Sequence, residues 1–428
     1  MPSIVIASVP IHGHVTPLLT VARRFVDRGD DVRFVSGARF VEAIAATGAT
    51  HVPLPPGADY DEDVLLRFPD RAKLKGAKAI AFDVENVFAK PALAQYRALL
   101  AAHSDRYADA VLFDPAFYGA GLLAAHSRDD RPATVMCGVL PLHVQSRDTA
   151  PFGMGLAPAR WLNRPRNAAL TVVTRRVLAG AQRMLDDYYA EVHRTAMPTD
   201  LPNWGRHVDA IVQFTVEAFE YPRSDAPPRL HFAGPLSATG SHAELPPWFD
   251  ELDGSRPVVH VTQGTIANTD YNQLIAPTLR ALADEDLTVV VSTGGRPLDG
   301  LPPLPANARA AMFLPYDELL PRTDVYVTNG GYGGVQYALR HGVPIVATGG
   351  KEDKPEVGAR VAWSGVGRRI RSERPQPAAL RRAVLDVLRT PKYRETSARV
   401  AVDMAAAPGF PKLAEVVDEL LGNTVVDS

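Results

Sequence analysis

Two histidines, His12 and His14, follow a short Val- and Ile-rich run at residues 3–9. They sit in a Gly/Pro-marked stretch, His12-Gly-His-Val-Thr-Pro17. In an open parallel α/β sheet, ligand chemistry gathers at the carboxyl ends of the strands, and both histidines are expected there. His14 falls just before a helix start that Thr16 would cap and Pro17 would open. A helix N-terminus disfavours imidazolium, so His14 is expected to stay neutral and able to act as a base near pH 7. The same position suits a capping histidine, or half of a metal pair whose third ligand the sequence does not announce. A base of this kind needs an orienting carboxylate. Asp114, in Phe113-Asp-Pro-Ala-Phe117 directly after another apolar run, could hold the ring and stabilise the imidazolium. As an Asp before Pro it equally suits a turn.

The most informative segment is Val325-Tyr-Val-Thr-Asn-Gly-Gly-Tyr-Gly-Gly-Val-Gln-Tyr-Ala-Leu339. A β run leads into Asn329, then Gly330, Gly331, Gly333 and Gly334, then a helix. Such a turn aims backbone N–H groups and a helix dipole at an anion while permitting close approach, which describes a diphosphate cradle. A merely tight strand-to-helix turn is the plainer reading. A P-loop is excluded because no Gly-Lys-Ser/Thr follows, and the first loop lacks the G-x-G-x-x-G expected of a dehydrogenase. A second glycine turn, Thr262-Gln-Gly-Thr265, could offer Gly264 and Thr265 to the same phosphates, or be a plain loop. Lys351-Glu-Asp-Lys-Pro-Glu356 has the composition of a solvated surface. It nevertheless leaves the same sheet edge as the cradle, where Asp353 and Lys354 could meet sugar hydroxyls.

These groups need two α/β frameworks. Residues 3–9, a helix over 18–27 and a strand at 31–36 form a βαβ unit, and apolar runs at 110–113, 133–140 and 210–214 continue it. Residues 221–235 have linker composition. A second cycle follows with strands expected at 257–262, 287–292, 310–313, 325–327 and 345–347. The expected organisation is a first domain over 1–220, a linker over 221–235, a second domain over 236–405, and a terminal segment over 406–428 whose helix packs back on the first domain. Residues 167–194 read as one amphipathic helix, with Phe152, Met154 and Trp161 before it as candidate walls of an apolar pocket.

The chain has 428 residues, enough for two domains facing a cleft. Lys plus Arg total 46 against 48 Asp plus Glu, so no broad positive field points to nucleic acid. Cys137 is the single cysteine, which excludes an internal disulfide and favours a reducing compartment, so the cytoplasm is expected. Neither a signal peptide nor a membrane span is expected.

In order and spacing, Gly13-His-Val-Thr-Pro17, Phe113-Asp-Pro-Ala-Phe117, Gln263-Gly-Thr265, the cradle and Gly342-Val-Pro-Ile345 resemble the family 1 nucleotide-sugar glycosyltransferases of GT-B architecture, especially the bacterial macrolide type. The likeness spans nearly the whole chain. It implies an α/β GT-B fold of two Rossmann-like domains. It implies inverting transfer, with His14 deprotonating an acceptor hydroxyl, Asp114 supporting it, and His12 as the weaker second base. It also implies a UDP- or dTDP-sugar as co-substrate, with no further cofactor and generally no metal. Donor contacts carried over are Gly264, Thr265, Phe313, Asn329, Gly330, Gly331, Gly333, Gly334, Asp353 and Lys354. Several depart from the family pattern. Asn329 replaces a His, Phe313 a base-stacking Trp, Tyr337 a ribose-binding Glu, and Asp353-Lys354 an Asp-Gln sugar pair. Losing the ribose carboxylate leaves a deoxyribose donor open.

Acceptor pockets in this fold come from variable loops, here residues 57–92 and 141–165. His12, Phe68, Phe82, Phe88, Phe152, Met154 and Trp161 suggest a large apolar acceptor such as a macrolide, ansamycin or polyphenol. The competing expectations are a nucleotide-sugar epimerase of the same fold and a non-catalytic nucleotide-sugar-binding protein. Monomer and homodimer are both compatible with the chain.

Overall fold

The computed structural model describes residues 1–60, 67–195, 197–236, 243–265 and 268–422. Residues 61–66 of the expected acceptor loop, 237–242 after the expected linker, and 423–428 of the terminal segment lie outside them.

Runs of β-branched residues make the strands. Val258-Val-His-Val-Thr262 and Thr288-Val-Val-Val-Ser292 are nearly continuous stretches of this kind, as expected of strands covered on both faces. Seven strands form the first sheet: β1 (Ser3–Ala7), β2 (Asp31–Ser36), β3 (Thr50–Pro53), β4 (Ala110–Phe113), β5 (Ala133–Gly138), β6 (Ala210–Gln213) and β7 (Leu230–Phe232). Six form the second: β8 (Val258–Thr262), β9 (Thr288–Ser292), β10 (Ala308–Ala311), β11 (Val325–Thr328), β12 (Ile345–Ala347) and β13 (Gly367–Arg369). The orders are β3-β2-β1-β4-β5-β6-β7 and β10-β9-β8-β11-β12-β13, and neighbouring strands are parallel. Each order reverses once, between β1 and β4 in one sheet and between β8 and β11 in the other. Such a switch point opens a crevice at the strand ends. Every candidate catalytic or glycine-turn residue lies on the loop, or in the first turn of the helix, that follows one of these four strands.

The helices that bear on the site are α1 (His12–Arg28), α2 (Asn163–Val177), α3 (Ala179–His193), α4 (Tyr332–Arg340), α5 (Lys354–Ser364) and α6 (Phe410–Leu420). Three expectations need correction. α1 begins at His12 rather than after Pro17, with Ile11 as an N-cap that makes no side-chain bond. Pro17 lies inside the helix, where its missing N–H forgoes only the bond to the Gly13 carbonyl. Residues 167–194 are two helices broken at Leu178, and α2 buries Asn167 and Thr171 while Val172 and Val173 stand exposed. The linker expected at 221–235 contains β7, which closes the first sheet as an edge strand.

Apolar clusters cover both faces of each sheet. On one face of the first sheet α6 inserts Leu413, Val416 and Val417 among Val21 and Phe25 of α1, and Phe410 meets Phe25 edge-on at 4.8 Å. Each such side chain contributes roughly 1.5–3 kcal/mol by leaving water. The terminal helix therefore braces the helix that carries His14. The chain leaving β7 and the chain returning to α6 touch where they pass between the halves. Gly409 N–H donates to the Ala233 carbonyl at 2.7 Å, and a Cβ on Gly234 (φ 81) would stand 2.5 Å from Ala407 Cβ. Among the described residues no helix is long and apolar enough to cross a membrane.

Candidate active site

The loop after β4 turns back on itself around Asp114. Its Oδ2 accepts the Val9 amide and its Oδ1 the Ala116 amide, each at 2.7 Å, and the carboxylate is fully buried. Oδ1 also takes His14 Nδ1 at 2.8 Å. With both carboxylate oxygens anchored, the imidazole orientation is fixed. Nδ1–H donates to the carboxylate, and Nε2 keeps its lone pair. His14 is 8% exposed, in the first turn of α1.

Burial pushes the His14 pKa down. Asp114, by charge and by hydrogen bond, and then Asp353 and Glu352 push it up and outweigh the burial, so the net shift is upward from 6.5. The expectation that the helix N-terminus keeps this imidazole neutral is therefore corrected. It sits in a ring of carboxylates that favour its charged form. Asp353 and Glu352 belong to the second half, so the carboxylates that act on His14 come from both halves. His12, two residues earlier and so about 200° around the helix, turns instead to Phe40, edge-on at 4.9 Å.

Across the groove, the loops after β8 and β11 are tied together. Asn329 Nδ2 donates to the Gln263 carbonyl at 2.6 Å, so part of its donor capacity is already used. Gly330 adopts φ 94, and a Cβ there would lie 2.9 Å from the Thr348 carbonyl oxygen. Gly331 is the N-cap of α4, and the exposed Gly333 has open space around it. Gly334 has a different task, because a Cβ there would stand 2.7 Å from the Tyr326 hydroxyl, and its absence lets the helix pack on the sheet. Gly264 (φ 74) and Thr265 are exposed at the rim.

Asp353 and Lys354 open α5 beside the cradle. The carboxyl of Asp353, half-buried, is pushed up to about 6 by burial and by Glu352. The ammonium of Lys354 is paired with Glu352, and its stem lies next to Gly330 and Gly349. Phe313, 45% exposed, presents one edge to Gly295 and leaves the rest of its ring open. The turn under it, Thr293-Gly-Gly-Arg296, was not singled out in the sequence, although two glycines directly after a strand were the available signal. Asn268 knits it to the β8 loop by donating to the Gly264 and Thr293 carbonyls at 2.9 and 2.8 Å.

On the acceptor side a row of rings runs behind Asp114. Phe88 lies 6.3 Å from Tyr118, Tyr118 5.7 Å from Trp204, Trp204 6.5 Å from His143, and His143 6.2 Å from Phe152. Burial pushes His143 down to about 4, so it acts here as a neutral ring. Phe82 packs edge-on against Phe68 at 5.2 Å, and Met154 is half-buried beyond Phe152. Trp161 does not join them. It is 80% exposed because it stands at the outer head of α2, so it walls no enclosed pocket. Among the described residues no group of three or more His, Cys, Asp or Glu is placed to hold a metal ion.

His14 and the glycine turn after β11 thus stand at the switch points of the two sheets. Known proteins match the chain along its length. A family model described as the C-terminal domain of erythromycin biosynthesis protein CIII-like proteins matches residues 276–422. The chain is 39% identical to 4'-demethylrebeccamycin synthase of Lentzea aerocolonigenes, over 98% of this chain and 99% of that protein. It is 34% identical to UDP-glycosyltransferase 2 of Phaeomoniella chlamydospora, over 98% and 96%. Among solved structures, the glycosyltransferase of kitacinnamycin superposes with a TM-score of 0.73 at 22% identity, covering 98% of this chain and 100% of that one. The calicheamicin glycosyltransferase gives 0.72 at 23%, covering 99% of each, and both likenesses concern the fold. With its whole length matched at that identity, the chain belongs to the natural-product branch of the family 1 nucleotide-sugar glycosyltransferases, has the GT-B fold, and is a hexosyltransferase.

Proposed function

We propose that the enzyme moves a hexose from a UDP- or dTDP-linked donor to a hydroxyl of a large apolar natural product, with inversion at the anomeric carbon. The observation that carries this reading is the His14–Asp114 pair, locked by two backbone amides and facing Asp353 and Glu352 across the groove. His14 Nε2 takes the acceptor hydroxyl proton as that oxygen attacks the anomeric carbon from the face opposite the diphosphate. The bond from that carbon to the β-phosphate oxygen breaks, and the nucleoside diphosphate leaves with the electron pair. Asp114 stabilises the imidazolium so formed.

The amides of Gly331 and Gly333, aligned with the α4 dipole, receive the developing diphosphate charge, while the Gly330 amide donates to Thr328 Oγ1 and holds the turn. Lys354 exchanges Glu352 for a phosphate oxygen when the donor arrives, supplying the charge that Asn329 lacks. Phe313 supports the nucleobase, Gly264 and Thr265 border the phosphates, and Asp353 accepts from the sugar hydroxyls. Phe88, Phe152, Met154 and the Phe68–Phe82 pair offer the acceptor an apolar surface, and a flat polycyclic or macrocyclic aglycone suits such rings. The name of the Phaeomoniella relative favours UDP, whereas Tyr337 in place of a ribose-binding carboxylate favours dTDP.

The test is transfer from UDP-glucose and dTDP-glucose in parallel to a panel of macrolides, ansamycins and polyphenols, with products identified by mass spectrometry. A glycosylated product with inverted anomeric configuration, absent with His14→Ala, is expected. Epimerised sugar without acceptor, or donor binding with no transfer to any member, would replace this reading.

A further inference from the structure

Glu356 has no part in that chemistry, and among the described residues it is a carboxylate bonded to both halves. It lies in the first turn of α5, two residues beyond Lys354, and is 4% exposed. Its Oε1 accepts the Gly153 and Gly155 amides at 3.0 and 2.7 Å, from the loop that carries Phe152 and Met154. Its Oε2 takes Arg360 Nη1 at 3.0 Å. Arg360, 1% exposed, also reaches Glu220 at 2.8 Å and lies over the Tyr221 ring at 4.3 Å. Arg369 of β13 completes the grip by donating to the Gly155 carbonyl at 2.5 Å. The acceptor loop of the first half is thus held through its backbone by side chains of the second half.

Apolar contact would join these two surfaces without fixing their register. A buried carboxylate shared between two amides and a guanidinium tolerates one placement, because any slip leaves charge unpaired away from water. The helix it sits on begins with the residues read as sugar contacts. A ligand that settles the start of α5 therefore settles Glu356, and with it the loop.

We propose that Glu356 is a positioning residue that couples donor occupancy to the acceptor wall. Sugar nucleotide seated at Asp353 and Lys354 fixes α5, and α5 fixes residues 149–157 through Glu356. The proposal rests on the donor-site reading of Asp353 and Lys354. Coupling of this kind is reciprocal, so the acceptor tightens donor binding by the same factor.

The experiment is amide hydrogen exchange of residues 149–157 in the full chain, with and without saturating UDP-glucose or dTDP-glucose, alongside calorimetry of the same additions. In the wild type, nucleotide sugar is expected to slow exchange in that segment by at least about fivefold. Glu356→Gln is expected to bind donor within about threefold of wild type and to lose that slowing. Arg369→Ala leaves the Glu220–Arg360–Glu356 cluster complete and is expected to weaken the slowing, which covers the case of a poorly folded Glu356 variant. Donor binding without slowing in the wild type, or slowing that persists in both variants, overturns the coupling alone. No binding of either donor to the wild type overturns the donor-site reading, and the coupling with it.

Discussion

In the first sheet the loops after β1 and β4 bring side chains to the switch point, and in the second the loops after β8 and β11 bring backbone. His14 and Asp114 form a pair that two amides hold from behind. Gly331 caps α4 at the front of its turn, with Gly330 bonded back to Thr328 Oγ1 and Asn329 tying the turn to Gln263. One topology thus serves two purposes. On the proposed mechanism, the half that handles a proton depends on groups being present, and the half that holds a diphosphate depends on a Cβ being absent. The two should fail in opposite ways, one on removal of atoms and the other on their addition.

The largest effect is expected from His14→Ala. kcat should fall by about two to four orders of magnitude, with the nucleoside diphosphate dissociation constant little changed by calorimetry. Near-normal turnover would move the proton to another group. Adding one carbon with Gly330→Ala should do the reverse and weaken nucleotide binding more than it slows bound substrate. Positive φ and the close Thr348 carbonyl together cost on the order of 1–3 kcal/mol, roughly a ten- to hundredfold loss of affinity. Unchanged affinity would place the diphosphate elsewhere. Phe313→Ala should raise the donor KM by about tenfold through lost stacking on the base, and Phe313→Trp should lower it.

The smallest and sharpest test is the pH profile. Burial alone would lower the His14 pKa, but Asp114 together with Asp353 and Glu352 outweighs it and the net shift is upward. Below that pKa the base already carries a proton and is idle, so kcat/KM should rise with pH through a value above 6.5. In Asp114→Asn the burial is opposed only by Asp353 and Glu352, so the limb should move to lower pH while the plateau falls. A limb that stays in place would show that another group titrates.

Most central strands were legible as apolar runs because they are covered on both faces. The edges β3, β7 and β13 were not, since Thr-His-Val-Pro, Leu-His-Phe and Gly-Arg-Arg have solvent on one side and carry no such pattern. The β11 glycine turn was legible because positive φ and close approach restrict residue type. The start of α1 was misread because Pro17 suits a first helical position, whereas here the turn before it is already helical. Glu356 was read as part of a solvated charge run. Its partner Arg360 is four residues away, but the amides of Gly153 and Gly155 are about two hundred residues distant in sequence, and only folding brings them together.

Gly234 and Ala407 lie where both passages of the chain between the halves run side by side, within van der Waals reach. A side chain at Gly234 would have to push those passages apart, so a single glycine keeps the seam between the halves closed.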